Sequence, residues 1–353
     1  MPVTALAQSL LVYFYLMDPI TQGVVGASAA LALSNQKHAK SAALLGLLGG
    51  MAPDLDIFIR SDHDPLLFLE FHRQFTHSLF FIPIGGTLVA LVLFALLRRR
   101  VPLSFKQYWL FCSLGYATHA VLDACTTYGT LLLWPFSDVR IAWNTISVID
   151  PIFTLPIIVL IIAGVLRRQP RMAHLALVWA VAYLSLGTLQ HARVQTAAWA
   201  LAASRGHTPT TLEAKPSLGN ILLWKTIYQT EQHYYVDAVH SGWHSVIYPG
   251  ESIQQLDIKR DFAWLDMQSQ QAEDIERFRW FSNGYLAQHP KLAHHIIDIR
   301  YSMLPNKVSG LWGIGLVPDV RPDQHVSYQV YRQADAKTRQ QLWRMMRGQT
   351  ISE

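Results

Sequence analysis

Apolar positions fall into long uncharged runs through the first half of the chain and into short, turn-punctuated runs in the remainder. Ser78 to Leu97 carries no charge at all and matches the roughly 20 helical residues that cross a hydrocarbon core about 30 Å thick. Further apolar runs cover Ser41 to Ala52 (paired with Val24 to Leu33 as a broken span), Tyr108 to about Thr126, Pro151 to Leu166 and Met172 to Leu189. Together they predict a mainly α polytopic domain of about five transmembrane helices over residues 1–192.

From about Val194 the pattern changes, and residues 193–353 read as a soluble α+β domain of ordinary size with an antiparallel sheet. "NILLWKTIYQTEQHYYVDAV" is rich in aromatic and β-branched residues, and "HSG" before "WHSVIYPG" supplies the turn of a hairpin. Asp261 to Gln288 has helical character. "HIIDIRYSML", "GLWGIGLV" and "VSYQVYRQ" follow as strands, and Ala336 to Arg347 closes as an amphipathic helix.

Composition agrees with a membrane protein: 51% of residues are hydrophobic and 15% charged, against roughly a quarter charged in soluble domains. Lys37 with Lys40, Arg98 to Arg100 with Lys106, and Arg167, Arg168 and Arg171 form three basic clusters that the positive-inside rule assigns to the cytoplasm. Connectivity then places Pro53 to His77, the end of the Tyr108 helix, Trp134 to Asp150 and the tail together on the opposite side. The net charge of +5 is a topology signal, so the bilayer is the expected partner and nucleic acid is not. Cys112 and Cys125 lie on one predicted helix about 20 Å apart, too far for a disulfide. The opening "MPVTALAQSLLVYFYL" lacks the basic n-region and cleavage site of a signal peptide, and Met17 is an alternative first residue.

Polar residues are costly in a membrane half and therefore informative. In "MAPDLD", Asp54 and Asp56 alternate in a turn and can point at one cation, or serve only as caps. In "HRQFTHS", His72 and His77 would stand about 140° apart on a regular helix, so a shared ion needs a helix boundary there, which Thr76 or Ser78 can cap. "HAVLDACTTYG" puts His119 and Asp123 at i and i+4, one above the other on one face, as metal ligands or as a His–Asp pair holding helices together. In "SVIDPIFTLP", Asp150 stands where an N-cap belongs. All seven fall on the same predicted membrane side. Imidazoles and carboxylates without thiolates suit Zn²⁺, with Mn²⁺ or Fe²⁺ as alternatives.

These segments, with "MDPITQGVVGA" and "GGMAPDLD" before them and in this order, closely resemble the bacterial membrane-bound metal-dependent hydrolase family, which includes LexA-regulated members. The resemblance covers about Met17 to Leu189 and continues loosely through "NILLW", "IRYSMLP" and "LWGIGL". It implies a multi-pass protein of the bacterial inner membrane, its C-terminal domain outside the cytoplasm, with a metal-dependent hydrolase site. Its His-xxx-Asp pairing is also similar to part of the zinc site of bacterial phospholipase C, which implies a phosphoester or lipid-like substrate. Carried over position by position, Asp54, Asp56, His72, His77, His119 and Asp123 become candidate ligands. Asp56 or Asp150 is the candidate base and Arg73 the candidate stabiliser of negative charge, with Gln22, Thr76 and Tyr128 in supporting places. Two other classes stay open: a transporter, whose ligands would sit near the bilayer midplane, and a non-catalytic scaffold in which His and Asp act as polar glue between helices.

Overall fold

Asp18 starts the first described helix by accepting a hydrogen bond from Thr21 N at 3.0 Å, and Pro19 fills a first-turn position where a missing N–H costs nothing. The computed structural model describes residues 18–332 and 335–350; the run before Asp18, with the choice between Met1 and Met17, lies outside them. Helices α1 (Pro19–Ala32) and α2 (Ala39–Met51) lead into a 3₁₀ stretch, Ala52–Phe58. A short α3 (Leu67–Phe71) and two 3₁₀ turns, Phe75–His77 and Leu79–Phe81, precede α4 (Ile82–Leu97). Then come α5 (Phe105–Cys125), started by a Ser104–Gln107 capping box, α6 (Pro151–Arg167) and the long α7 (Arg171–Ser204).

The chain divides into two units. The first comprises the described residues up to Phe58, Phe71–Thr188 and Leu218–Asn220; the second comprises Ile59–Glu70, Leu189–Ser217 and the described residues from Ile221 onward. Within the first unit α2 and α5 meet backbone to backbone. A Cβ on Gly115 would lie 2.1 Å from the Gly46 carbonyl oxygen, and one on Gly49 would lie 2.4 Å from that of Cys112, so only glycine permits this approach. That spacing brings the C-terminal half of α5 against the end of α2, where the candidate ligands are.

Among the described residues, three helical segments are long and apolar enough to cross a membrane: Ala39–Phe58, Leu79–Leu97 and Arg171–Ser204. The expected count of five is thus reached only in part. Pro151–Arg167 is apolar but shorter, while Phe105–Cys125 has the length and carries Lys106, Gln107, His119 and Asp123 along it. Its ionisable end is buried among other helices, which is how a polar helix is kept from lipid.

In the second unit the strands form two antiparallel sheets, where the sequence suggested one. β1 (Thr211–Pro216), β2 (Leu223–Gln229), β3 (His233–Ser241) and β4 (Ser245–Gln254) pair in chain order, as do β5 (Leu286–Gln288), β6 (His295–Asp298), β7 (Trp312–Gly315) and β8 (Ser327–Val330). Ile227, Val236, Tyr285, Ile297 and Ile299 form a core shared by the two sheets. α8 (Ile258–Asp261) is short, α9 (Gln270–Phe281) is capped by Ser269, and α10 (Ala336–Met346) closes the described chain. The expected helix over Asp261 to Gln288 is shorter than its pattern suggested: Asn283 and Gly284 take φ of 52° and 80°, left-handed values that end a helix, and β5 begins at Leu286.

Arg277 on α9 is the hub of a second-unit network. Its Nη2 lies 2.7 Å from Asp64 Oδ2, its Nε 2.5 Å from Glu70 Oε1 and its Nη1 2.8 Å from Asp274 Oδ1. Asp274 also accepts from Val326 N at 3.0 Å and sits 2.9 Å from His325 Nδ1.

Candidate metal centre

Four side-chain atoms in the first unit converge. His77 Nε2 lies 2.9 Å from His119 Nε2. Asp54 Oδ1 lies 3.4 Å from the first and 3.2 Å from the second, and Asp123 Oδ2 lies 3.3 Å and 3.7 Å from them. Ligands about 2.1 Å from a tetrahedral ion stand roughly 3.4 Å apart, so the Asp54, His77 and His119 separations are near those of a single coordination shell, with Asp123 standing beside the two histidines. Asp54, His77 and His119 are the group whose ligand atoms all lie within 4.8 Å of one another, a cluster that could hold a metal ion.

Local structure explains why these atoms and not their neighbours converge. A 3₁₀ helix turns about 120° per residue, so Asp54 and Asp56 point about 120° apart around its axis instead of side by side as in an extended turn. Asp56 therefore faces the 72–77 loop: Oδ1 lies 2.8 Å from His72 Nδ1, and Oδ2 accepts from Arg73 N at 3.1 Å and from Thr76 Oγ1 at 2.7 Å and lies 3.2 Å from His77 Nδ1. Arg73 has φ 63°, a left-handed value that costs a non-glycine residue energy and here breaks the chain between the two histidines. Bonds on both sides of it, Arg73 N to Asp56 and Leu131 N to Arg73 O (3.0 Å), hold that conformation.

The outer nitrogens decide where the inner ones point. His119 Nδ1 lies 2.6 Å from the Gly50 carbonyl oxygen and must carry the proton it donates there, which leaves Nε2 as a lone pair. His77 Nδ1 lies 2.9 Å from Thr76 Oγ1, which itself donates to Asp56, and 3.2 Å from Asp56 Oδ2. Gln22 Nε2 donates to Asp123 Oδ1 at 2.8 Å and leaves Oδ2 facing the histidines. Asp54 Oδ2, Asp123 Oδ2 and His72 Nε2 are buried and make no hydrogen bond. Arg73 Nε comes within 3.1 Å of Asp123 Oδ2 without the angle of a hydrogen bond, while Nη1 donates to Thr126 Oγ1 at 3.0 Å and the guanidinium lies over the Tyr128 ring. Burial alone would push the His77 imidazole down, but the Asp56, Asp54 and Asp123 carboxylates around it outweigh burial and raise its pKa to about 10. Surroundings that hold a proton this firmly also favour a cation in its place.

Beside the cluster is a cavity of about 20 Å³, room for about one water, lined by Asp18, Gln22, Asp54, Arg73, Asp123 and Asp150 among others. Asp150 borders it while capping α6: it accepts from Ile152 N at 3.0 Å, from Phe153 N at 3.2 Å and from Tyr183 Oη at 2.9 Å. Of the residues singled out from sequence, Asp54, His77, His119 and Asp123 thus meet at one centre. Asp56 and Thr76 hold His77, Gln22 holds Asp123, and His72 is held by Asp56 itself. The Gly50 carbonyl, Asp18 and Thr126 were not foreseen; the paired glycines of "GGMAPDLD" were the available sign that a backbone oxygen is exposed there.

A family profile described as YdjM inner membrane protein matches residues 17–214, more than half of the chain. The chain belongs to the YdjM inner membrane protein family. It is 30% identical over 133 residues to "Inner membrane protein YbcI" of Escherichia coli (strain K12), covering 36% of this chain and 75% of that protein. It is 29% identical over 135 residues to "Uncharacterized protein YfhP" of Bacillus subtilis (strain 168), covering 38% of this chain and 37% of that one, so it spans little more than a third of the latter relative. No solved structure matches. Membership of the YdjM family makes this an inner membrane protein associated with the lipid bilayer, and the matched stretch contains all four converging residues. The family description gives a location and no reaction, so the hydrolase expected from the motifs rests on the site's chemistry.

Proposed function

We propose that His77, His119, Asp54 and Asp123 hold one divalent ion of the Zn²⁺ class, and that the protein is a metal-dependent hydrolase of a phosphoester or lipid-like substrate at the outer face of the inner membrane. One observation carries the proposal: two imidazole Nε2 atoms lie 2.9 Å apart while the Nδ1 atoms face outward, that of His119 to the Gly50 carbonyl and that of His77 to Thr76 Oγ1 and Asp56. Facing nitrogens this close need a proton or a metal ion between them; a bound ion would take the place of the proton that the surrounding carboxylates hold on His77, with carboxylate oxygens completing the set. An ion bound there would lower the pKa of a water from 15.7 toward about 7 and polarise a scissile oxygen. The chain's own residues supply the rest. Asp56 and the Gly50 carbonyl fix the imidazoles, Gln22 aims Asp123, and the cavity beside Asp54 and Asp123 seats a single water. Arg73 offers a fixed planar donor for developing negative charge. Asp56 is occupied by four neighbours and Asp150 by its cap, so the proton from that water would fall to Asp54 Oδ2, which is not the oxygen facing the histidines and has no hydrogen bond of its own.

A second reading has its own support. Four protein ligands around one ion would make a closed structural site, whereas a catalytic zinc keeps a position open. Metal analysis of detergent-purified protein, followed by assays on phosphodiester, phospholipid and ester substrates, tests both. About one ion per chain, lost in His77→Ala and His119→Ala together with hydrolysis, is the expected result. Stoichiometric metal without turnover would leave the structural reading, and wild-type protein that takes up no metal would overturn both.

A further inference from the structure

The β3–β4 hairpin ends in a tryptophan with nothing packed on it. Trp243 is 99% exposed, in the turn between Ser241 and Ser245, and Leu222 beside that turn is 40% exposed. A lone exposed Trp needs no explanation on an ordinary surface, but this one has a defined address. Gln190 Nε2 donates to Ser241 O at 2.6 Å and Arg193 Nη2 donates to Gly242 O at 2.8 Å, which ties the tip to α7. A further bond, Ser241 N to Leu222 O at 2.7 Å, places Leu222 at the same level.

That level can be read from α7 itself. Between Arg171 and Arg193 the helix has no Asp, Glu, Lys or Arg, and at 1.5 Å per residue the separation of the two arginines is about 33 Å, against a hydrocarbon core of about 30 Å. The two arginines therefore bracket the membrane, each with a long side chain that keeps its charge at the headgroups. The hairpin tip is bonded to the second arginine. Indole rings concentrate at this depth because an apolar ring with one N–H suits a layer that is half hydrocarbon and half water.

We infer that Trp243 inserts into the headgroup region where α7 leaves the bilayer, and that the β3–β4 hairpin is a lipid-contacting anchor of the second unit. The anchor works independently of the metal site. Full-length Trp243→Cys protein, labelled with an environment-sensitive NBD probe and reconstituted in phosphatidylethanolamine–phosphatidylglycerol vesicles, tests it against a Ser252→Cys control at the other, exposed end of β4. Cys112 and Cys125 are buried, and unmodified protein gives their background. The label at 243 should emit to the blue of that at 252, be quenched by lipids doxyl-labelled near the headgroup, and show about threefold less quenching by aqueous iodide, as expected for a group at the interface. Iodide quenching equal at the two positions would overturn the inference. So would protection from iodide without doxyl quenching, which would mean a protein surface covers the tip. Trp243→Ala should leave the unfolding midpoint in detergent unchanged while exposing a probe on Gly242→Cys to iodide in vesicles; no change in that probe would also refute the anchor.

Discussion

Two charge clusters in this chain, one half-buried and one buried, solve the same electrostatic problem in opposite ways. In the second unit Asp64, Glu70 and Asp274 converge on the guanidinium of Arg277, a cation carried by the chain itself. In the first unit Asp54 and Asp123 converge with two imidazole Nε2 atoms on a point that no Lys or Arg side chain fills; the nearest, Arg73, stands to one side on Thr126 and the Tyr128 ring. The contrast teaches how a binding site differs from a structural ion pair. A structural cluster is complete in its hydrogen bonds, whereas a binding site spends its bonds on aiming atoms that are themselves left without partners.

The comparison can be broken from either side. Arg277→Ala should cost about 3 kcal/mol in chemical unfolding, the low end for breaking a buried ion cluster, because Glu70 and Asp64 keep 33% and 21% of their side chains exposed. The loss should be the same with and without a chelator. A loss that appears only when metal is present would mean that the two clusters do not differ in the way described.

Asp56→Asn keeps all four converging atoms and weakens the acceptor that orients His77. Metal affinity should fall by about 10–100-fold, the usual effect of a partner behind the ligands, with metal-free stability changed far less. An unaltered dissociation constant by competition with a fluorescent chelator would remove Asp56 from that role.

The smallest effect is a pH slope. His77 in the metal-free protein has its pKa raised from 6.5 to about 10 by the neighbouring carboxylates, against burial. The stability this contributes is fully present below pH 6.5 and is lost as pH rises through about 10. An ion must displace that proton, so apparent metal affinity should weaken about tenfold for each unit the pH drops below 10. Isothermal titration across pH 6 to 8 checks the sign, and a flat profile would show that no proton leaves on binding.

Much of this was legible in the residues. The i, i+4 spacing of His119 and Asp123 put both on one helix face, and a charge-free run fixed the helix that follows His77. The roles of the two acids in "PDLD" were not legible, because spacing says nothing about whether the turn is extended or 3₁₀, and that choice rotates Asp56 away from Asp54. The break between His72 and His77 was required by angle, but Arg73, a residue with no preference for positive φ, gave no sign of supplying it. In the tail, β1 escaped notice since "TLEAKP" shows no apolar alternation, its burial coming from pairing with β2. The expected count of five spans is met in part for the reverse reason: Phe105–Cys125 is long enough to cross, but Lys106, Gln107, His119 and Asp123 lower its mean hydropathy below that of the three long apolar helices.

The assignment of Ile59–Glu70 to the second unit has a practical consequence for anyone cutting the chain. Its flanks, Phe58 and Phe71, belong to the first unit and stand two residues from Asp56 and one from His72. No single scission separates the units. A fragment ending at Thr188 would retain every converging atom and also Asp64 and Glu70, stripped of the guanidinium that neutralises them, and two bare carboxylates would then sit on the tether between those residues. The minimal preparation for studying the site is the whole chain, or the helical half with that loop redesigned to be neutral.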